Sequence, residues 1–272
     1  SNRKVEDVSK VLLVLISSYF INIAFEQSWF SQTTAYANYH VVDSETKLEF
    51  VSNNSGSSMI SKEKQEGHPY IENIKKFISA FDKNNPENSI LVIGSGGFSL
   101  TANDDIKAKV HYVDIDSQIK EIAETHFLKS PVKGEFTGID ARAFLRDVNN
   151  KGRYDIVIVD AYTNRSSIPW SLTTKEFYSQ VAAILKNDGL MLSNVISDPF
   201  MADSFSRRID NTIHSVFSES SCFKNAISFS RTTSNVVYIC SKTIQKHKSD
   251  LVYSDVNNRS TVDFFVDRTG LH

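Results

Sequence analysis

The sequence feature that most constrains the fold is a short apolar run, Ser89 to Ile93, that breaks into the glycine-rich turn Gly94-Ser95-Gly96-Gly97. A continuous apolar run of this length is typical of a strand that is buried on both faces of a parallel sheet. Glycines directly after such a strand allow a sharp turn and let the backbone approach a ligand closely. The stretch therefore predicts the first strand of an α/β domain, with a ligand site at its carboxyl end.

Carboxylates end the strands that follow in the predicted sheet. The second apolar run ends on Asp114, twenty residues after Gly94, a spacing that suits a carboxylate on the ribose hydroxyls of a nucleotide. Asp140 and Asp160 end the third and fourth strands. Because ligands bind beyond the carboxyl ends of strands in open α/β sheets, these positions predict a bound nucleoside. Asp140 also precedes a helix, so capping of that helix is an equally good interpretation of this residue.

Strand and helix patterns alternate along the rest of the chain. This order predicts parallel βαβ units, and the polar residues 230–234 between the last two apolar runs predict an antiparallel hairpin. The expected fold class is α/β, with a Rossmann-like, mostly parallel seven-stranded sheet and a small N-terminal β module. The predicted divisions are an N-terminal apolar segment (1–34), a β-hairpin module with a linking helix (35–84), a Rossmann-like domain (85–241) and a C-terminal tail (242–272).

Local patterns complete this outline. Alternation between residues 35 and 51 predicts a β-hairpin. Pro69 begins a helix whose apolar residues recur at helical spacing. The remaining predictions are a turn or flexible loop at 53–58, helices at 99–106, 117–127, 141–149, 173–186 and 200–217, a turn at 187–189, a strand at 190–196 and a docked tail segment at 262–266.

Charge and cysteine content narrow the choice of partners. A net charge of -2 gives no electrostatic reason to expect nucleic acid as a partner. The seven histidines show neither HxxxH nor HxH spacing, so no metal site is predicted. Cys222 and Cys240 lie in apolar, strand-like surroundings, which predicts buried free thiols.

The segment Val11 to Phe25 is almost uncharged. It is shorter than the roughly 20 residues that cross a bilayer, and it lacks the cleavage pattern of a signal peptide. We favour a buried helix or strand, or an oligomer contact, in a cytoplasmic protein. The alternative is the end of a membrane region that begins upstream, which would associate the protein with a membrane.

Six blocks of sequence, in order, resemble the spermidine synthase family of polyamine aminopropyltransferases. They are ILVIGSGG, VDID, GIDARAFL, YDIVIVDAY, IPWSLTTKEFY and LKNDGLMLSN, and the similarity covers roughly residues 35 to 240. The resemblance implies a fold of the S-adenosylmethionine-dependent methyltransferase type. It also implies decarboxylated S-adenosylmethionine, or S-adenosylmethionine, as co-substrate and a small amine such as putrescine as acceptor. A homodimer is implied because family members commonly associate.

The resemblance also implies roles for individual residues. Asp160 matches the family's catalytic aspartate, which would orient the acceptor ammonium and accept its proton. Asp114 would hold the ribose, and Asp140 with Ala141 would meet the adenine. The other implied contacts are the donor's tail and sugar at Gly94, Gly96 and Gly97, and the acceptor pocket at Tyr70, Tyr162 and Thr163.

The chain departs from the family pattern at several of these positions. Thr163 stands where a second aspartate usually helps to bind the diamine, and Arg165 adds a cation. Gly97 and Phe98 replace an acid and a glycine of the usual turn, and Ile71 replaces a histidine. These changes weaken the case for putrescine. We therefore keep two alternatives to aminopropyl transfer: methyl transfer to a small substrate, and a non-catalytic nucleoside-binding module in which the bulk of Phe98 narrows the pocket.

Overall fold

The computed structural model describes residues 10–18, 31–164, 167–227, 233–242, 252–256, 258 and 260. The helices are α1 (10–18), α2 (Pro69–Ala80), α3 (Ile119–Ile122), α4 (Ala141–Arg146), α5 (Lys175–Ile184) and α6 (Ser204–His214). A small N-terminal sheet contains β1 (Ser31–Thr33), β2 (Asn38–Asp43), β3 (Lys47–Ser52) and β4 (Ser55–Ser61). The large sheet contains β5 (Ser89–Ile93), β6 (Lys109–Asp114), β7 (Glu135–Gly138), β8 (Tyr154–Val159), β9 (Leu185–Ser197), β10 (Cys222–Ile227) and β11 (Ser234–Ser241).

The glycine-turn strand β5 lies in the middle of the seven-stranded sheet, whose strand order is β10-β11-β9-β8-β5-β6-β7. Strands β5 to β9 pair in parallel, whereas β11 pairs antiparallel with both β9 and β10. The predicted mostly parallel sheet with an antiparallel C-terminal hairpin is confirmed. Strand order reverses between β5 and β8, which is where α/β sheets of this kind open a crevice for ligands.

The apolar run of β5 is buried on both faces. Leu91 and Ile93 pack into one hydrophobic cluster, while Ile90 and Val92 pack into the cluster on the opposite face. Full burial of such a side chain contributes about 1.5–3 kcal/mol. Strand β5 has no alternating polar residues because helices and the small sheet cover both of its faces.

The N-terminal module has four strands where the sequence predicts a hairpin and a loop. Asn53 and Asn54 adopt left-handed backbone conformations, with φ of 49° and 61°, and form a tight turn between β3 and β4. Asparagine tolerates this conformation, which the tight hairpin turns require. The predicted turn is therefore confirmed at Asn53 and Asn54, whereas a flexible loop is wrong for residues 55–58, which belong to β4 and pair with β3.

Three other local predictions differ from the structure. Only a single turn, Ser99–Thr101, is helical in the predicted helix 99–106. The predicted turn at 187–189 lies inside β9, which already begins at Leu185 and is irregular in its pairing with β8 near Tyr154. Helix α6 is shorter than the predicted 200–217 and begins after Asp203, whose carboxylate caps it.

Cys222 and Cys240 form a disulfide, so the prediction of free thiols is wrong. The two residues lie directly opposite each other in the antiparallel pairing of β10 with β11. Their Cα atoms are 4.1 Å apart. The two cysteines are 18 positions apart in sequence, and it is the register of the β10–β11 hairpin that brings them together.

The described part of the C-terminal tail packs on the large domain. Tyr253 is fully buried in the main hydrophobic cluster. Asp255 accepts two hydrogen bonds from the buried guanidinium of Arg142, at 2.9 and 2.8 Å. The predicted docking segment 262–266 lies outside the described residues, so its docking stays a prediction.

We expect Asp255→Ala to lower the free energy of unfolding by about 1–2 kcal/mol, because it leaves the buried charge of Arg142 without its carboxylate. The figure lies below the about 3–5 kcal/mol for a fully buried pair because the Asp255 side chain is 37% exposed. Urea unfolding measures the change. Val256→Ala is the matched control, since its side chain is exposed and should have almost no effect. Equal stability of the two variants would contradict the prediction.

Helix α1 exposes its apolar side chains, including Val11 at 60% and Leu13 at 69%. Burial within the chain is therefore wrong for residues 10–18, whereas an oligomer contact stays a prediction. Residues 19–25 of the apolar segment lie outside the described residues. Within the described ranges, no helix combines the length and apolar character that a membrane span requires.

Candidate active site

A cavity of about 480 Å³ lies at the carboxyl ends of the parallel strands, with residues of the small N-terminal sheet on its opposite side. All the predicted site residues except Gly97 line this cavity. They are Tyr70, Gly94, Gly96, Asp114, Asp140, Ala141, Asp160, Tyr162 and Thr163. The roles assigned to them stay predictions, but the fold brings them to one place.

Gly94 occupies a position that only glycine fits without strain. Its φ is +89°, and a Cβ there would lie 2.5 Å from the carbonyl oxygen of Asp160. The turn after β5 and the residue after β8 are therefore in backbone contact. This close approach brings the predicted donor turn next to the predicted catalytic carboxylate.

Gly97 faces away from the cavity and connects the turn to the small sheet. Its N–H donates a 2.8 Å hydrogen bond to Oγ of Ser58, a buried residue on β4. A Cβ at Gly97 would lie 2.7 Å from the ring of Phe127. The glycine at this position is required by packing against β4 and Phe127, a reason that differs from the predicted donor contact.

Phe98 does not narrow the pocket, so that prediction is wrong. Its backbone is left-handed, with φ of 59°, and this conformation turns the side chain into the core. The ring is fully buried, 4.8 Å from the Tyr112 ring and 5.7 Å from the Phe136 ring, and it is not among the cavity-lining residues. The substitution of a glycine by Phe98 therefore adds core packing and leaves the cavity open.

Asp114 ends β6 beside the glycine turn. Its carboxylate accepts hydrogen bonds from the N–H groups of Ser95, at 2.8 Å, and Asp116, at 3.0 Å. Burial raises the pKa of Asp114, and the backbone hydrogen bonds oppose that rise. Asp116 in turn accepts hydrogen bonds from the hydroxyls of Tyr39 and Thr34, which belong to the N-terminal module. The acid at the end of β6 is thus held in place by both sheets.

Asp140 caps α4, since its Oδ1 accepts a 2.9 Å hydrogen bond from the N–H of Ala143. The capping interpretation is confirmed. Asp140 is also exposed and lines the cavity beside Ala141, so the carboxylate retains a free side toward a ligand. The two interpretations of this residue are compatible.

Asp160 follows β8, is half-buried, and is hydrogen-bonded through both of its carboxylate oxygens. Its Oδ2 accepts a 2.9 Å hydrogen bond from the hydroxyl of Tyr70, and its Oδ1 accepts a 2.9 Å bond from Nδ2 of Asn194. Burial raises the pKa of Asp160 to about 6, against the lowering effect of the two hydrogen bonds. The carboxylate is thus a stronger base than an ordinary aspartate and is held in one orientation.

Tyr162 and Thr163 follow Asp160, and their hydroxyls form hydrogen bonds with different parts of the chain. The Tyr162 hydroxyl donates to the carbonyl of Asn194 at 2.8 Å and accepts from the N–H of Ile196 at 2.9 Å, which fixes its ring against β9. The Thr163 hydroxyl donates to the carbonyl of Ser167 within its own loop. Arg165, the cation noted in the sequence, lies outside the described residues.

Three residues that the sequence prediction missed also line the cavity: Asn194, His68 and Ser95. Asn194 Oδ1, His68 Nε2 and Ser95 Oγ are buried and have no hydrogen-bond partner among the described residues. Asn194 is a polar residue inside an apolar strand next to β8, a signal that could have identified it. His68 carries no such signal, because only the fold stacks its ring on that of Tyr70, at 5.9 Å and 16°.

The lining also has a distinct charge pattern. It contains four carboxylates, Asp114, Asp116, Asp140 and Asp160, and no lysine or arginine among the described residues. In the same part of the chain, no group of three or more His, Cys, Asp or Glu residues is placed to hold a metal ion. The cavity therefore favours a neutral or cationic ligand over an anionic one.

Parts of this sequence match the sequences of known proteins. A family-wide sequence model described as the spermine/spermidine synthase domain matches residues 67–250. A probable polyamine aminopropyl transferase of Bifidobacterium longum is 32% identical over 139 residues, which cover 48% of this chain and 29% of that protein. A polyamine aminopropyltransferase of Saccharolobus islandicus is 29% identical over 145 residues, covering 50% of this chain and 48% of that protein. The match thus spans less than half of either relative's length.

Solved structures agree on the fold. Spermidine synthase from Thermotoga maritima matches with a TM-score of 0.60 at 17% identity, covering 89% of this chain and 87% of that one. A spermidine synthase in complex with the transition-state analogue AdoDATO gives a TM-score of 0.61 at 17% identity, covering 89% and 88%. These likenesses support the Rossmann-like fold, and the match over residues 67–250 covers most of the chain. The chain belongs to the spermine/spermidine synthase domain family.

Proposed function

We propose that this protein transfers an aminopropyl group from decarboxylated S-adenosylmethionine to an amine. The observation that carries the proposal is Asp160, a half-buried carboxylate of raised pKa that lines the cavity and whose backbone carbonyl lies against Gly94 of the donor turn. The curated relatives are named polyamine aminopropyltransferases, and this activity is carried over to the chain as part of the proposal.

Asp160 would perform the proton transfer that the reaction needs. An amine with a pKa near about 10, like that of lysine, is protonated at neutral pH and cannot attack carbon. The amine nitrogen forms a bond to the aminopropyl carbon as the carbon–sulfur bond of the sulfonium breaks, and methylthioadenosine leaves. The ammonium proton passes to Asp160, whose orientation is fixed by Tyr70 and Asn194.

The donor would occupy the half of the cavity formed by β5, β6 and β7. Asp114 would accept hydrogen bonds from the ribose hydroxyls, and Asp140 with Ala141 would contact the adenine. Gly94 and Gly96 would pass beside the donor's tail, where Ser95 Oγ offers a buried hydrogen-bonding group. Each of these contacts belongs to the proposal.

Charge favours the decarboxylated donor over S-adenosylmethionine itself. The tail of S-adenosylmethionine carries a carboxylate, and the described lining provides no lysine or arginine to pair with it. A decarboxylated tail carries only an ammonium, which suits a lining with four acids. Methyl transfer is therefore the second candidate. A non-catalytic module is supported only by Thr163, which stands where the family usually has a second aspartate. Phe98 does not support it, because its ring is buried in the core and does not line the cavity.

The direct test is incubation of the purified protein with decarboxylated donor and an amine, followed by mass spectrometry for methylthioadenosine. The coupled amine product and methylthioadenosine should form in equal amounts. Formation of S-adenosylhomocysteine from S-adenosylmethionine would instead support methyl transfer. Donor binding without product, across a panel of amines, would leave the non-catalytic module.

The activity should also depend on pH through Asp160. The base must be ionised, so kcat/KM is expected to rise with pH by about tenfold per unit below the pKa of Asp160, which burial raises to about 6, and to level off above it. The measurement is a pH profile of methylthioadenosine formation, with donor affinity measured at each pH. A profile that stays flat through the region around pH 6 would contradict the role of Asp160 as base.

Association and location are two further proposals. A homodimer rests on the family resemblance, and sedimentation of the purified protein tests it. Membrane association of the N-terminal segment is supported by the exposed apolar face of α1, and flotation with liposomes tests it. The Cys222–Cys240 disulfide is typical of oxidising compartments, so it counts against the predicted cytoplasmic location.

A further inference from the structure

The cavity divides into two halves by strand position. Asp160 follows β8 and lies beside β9, whereas Asp114 ends β6 and Asp140 follows β7. Neighbouring strands are about 4.8 Å apart, so Asp114 and Asp140 lie about 10 and 14 Å from the end of β8 along the sheet. These two acids belong to the donor half, and Asp160 belongs to the acceptor half.

The acids of the donor half are also engaged in the fold. Asp114 accepts from two backbone N–H groups, and Asp140 caps α4. Asp116 accepts from the hydroxyls of Tyr39 and Thr34. Because the other three acids of the described lining lie in the donor half, Asp160 is the only described carboxylate in the acceptor half, at β8 and β9.

The other polar side chains that the structure describes in the acceptor half carry no charge. They include Asn53, His68, Thr163, Asn194 and Asn235. Asn53 connects the small sheet to the loop after β8, because its Nδ2 donates a 3.0 Å hydrogen bond to the carbonyl of Thr163. Such side chains can hydrogen-bond a neutral group, but none of them neutralises a second ammonium.

His68 is the residue in this half best placed to bind a neutral group. Its ring stacks on the ring of Tyr70, whose hydroxyl donates to Asp160, so His68 lines the cavity on the Tyr70 side of the base. Its Nε2 is buried without a partner. Burial lowers the pKa of His68, and Glu49 and Lys47 on β3 act on it in opposite directions, so the imidazole is neutral at pH 7.

We infer, resting on the proposed aminopropyl transfer, that the acceptor is an amine with a single ammonium group and a hydroxyl at its other end, and that His68 binds this hydroxyl. The ammonium pairs with Asp160. A second ammonium in the same pocket would be desolvated without a carboxylate, which is strongly unfavourable, whereas a hydroxyl needs only a hydrogen bond.

The reaction with such an amino alcohol forms and breaks the same bonds as the reaction with a diamine. The amine nitrogen forms a bond to the aminopropyl carbon, the carbon–sulfur bond breaks, and its electron pair stays on sulfur in methylthioadenosine. The ammonium proton goes to Asp160. The hydroxyl is unchanged, and the product is a hydroxyalkyl-substituted secondary amine.

The test compares three acceptors that share a four-carbon chain: 4-amino-1-butanol, 1,4-diaminobutane and butylamine. Methylthioadenosine formation with the wild-type protein and decarboxylated donor gives kcat/KM for each. We expect 4-amino-1-butanol to exceed 1,4-diaminobutane by about tenfold or more, because the diamine buries an unpaired charge. A preference for the diamine would overturn this inference and leave the proposed function intact. No methylthioadenosine with any amine would overturn both.

Two variants separate the roles of the residues. His68→Phe should lower kcat/KM about tenfold more for 4-amino-1-butanol than for butylamine, because only the first acceptor has a hydroxyl to lose. Equal loss with both acceptors would mean that His68 acts only through its shape. Thr163→Asp should raise kcat/KM for 1,4-diaminobutane by about tenfold by supplying a second carboxylate. Thr163→Asn adds similar bulk without charge, and a rise with this variant too would contradict the charge argument.

Discussion

Asp160→Asn is expected to lower kcat by about 10³-fold while leaving the dissociation constant of the donor nearly unchanged. General-base catalysis contributes about 10²–10⁴-fold, and an amide cannot accept the ammonium proton. Titration calorimetry with the donor and quantification of methylthioadenosine measure the two effects separately. Equal losses in donor affinity and turnover would mean that Asp160 binds the donor or supports the fold.

The stability of the same variant gives an independent check. Burial raises the pKa of Asp160 from 3.8 to about 6, so the folded state favours the neutral acid. The ionised form therefore destabilises the fold progressively as pH rises from 3.8 through about 6, by at most about 3 kcal/mol above that range. Asp160→Asn removes this penalty and should unfold at an equal or higher temperature at pH 7. A clearly less stable variant would show that loss of activity comes from misfolding.

Gly94→Ala is expected to abolish donor binding and to lower the free energy of unfolding by about 2–4 kcal/mol. The added Cβ would lie 2.5 Å from the Asp160 carbonyl oxygen and 2.7 Å from Cα of Ala161, so β5 and the segment after β8 must move apart. The φ of +89° adds strain of its own. Urea unfolding and donor titration measure the two effects.

Gly152→Ala is the matched control for this prediction. Gly152 also has a positive φ, of +62°, but a Cβ there would meet nothing within 4 Å. Its cost should be about 1 kcal/mol, from backbone conformation alone, with donor binding unchanged. If the two variants lose the same stability, the close contact at Gly94 contributes nothing.

The sequence predicts the parts of this protein that depend on chain order. The alternation of strands and helices, together with the right-handed connection of parallel strands, brings Gly94, Asp114, Asp140 and Asp160 to one edge of the sheet. For that reason the sheet was predictable, and the site residues were predictable as neighbours, without any knowledge of packing.

The remaining parts depend on contacts between distant segments. Strand β4 is rich in serine and glycine and has no apolar pattern, and it forms because β3 pairs with it. Asn194 and His68 become site residues only when β9 lies beside β8 and when α2 stacks a histidine on Tyr70. Phe98 was misread because the left-handed backbone that buries its ring is not visible in the sequence.

The hydrogen bond from Gly97 to Ser58 makes the donor turn sensitive to the length of the chain between β3 and β4. Successive side chains of a strand point to opposite faces, so a one-residue slip of β4 would turn the Ser58 hydroxyl away from Gly97. The two-residue turn at Asn53 and Asn54 pairs Ser52 with Ser55, and an irregularity between Phe50 and Val51 then places Ser58 opposite Phe50, so the turn and this irregularity together set that register. Insertions or deletions in this surface turn, though remote in sequence from the reacting groups, would therefore act as donor-site mutations.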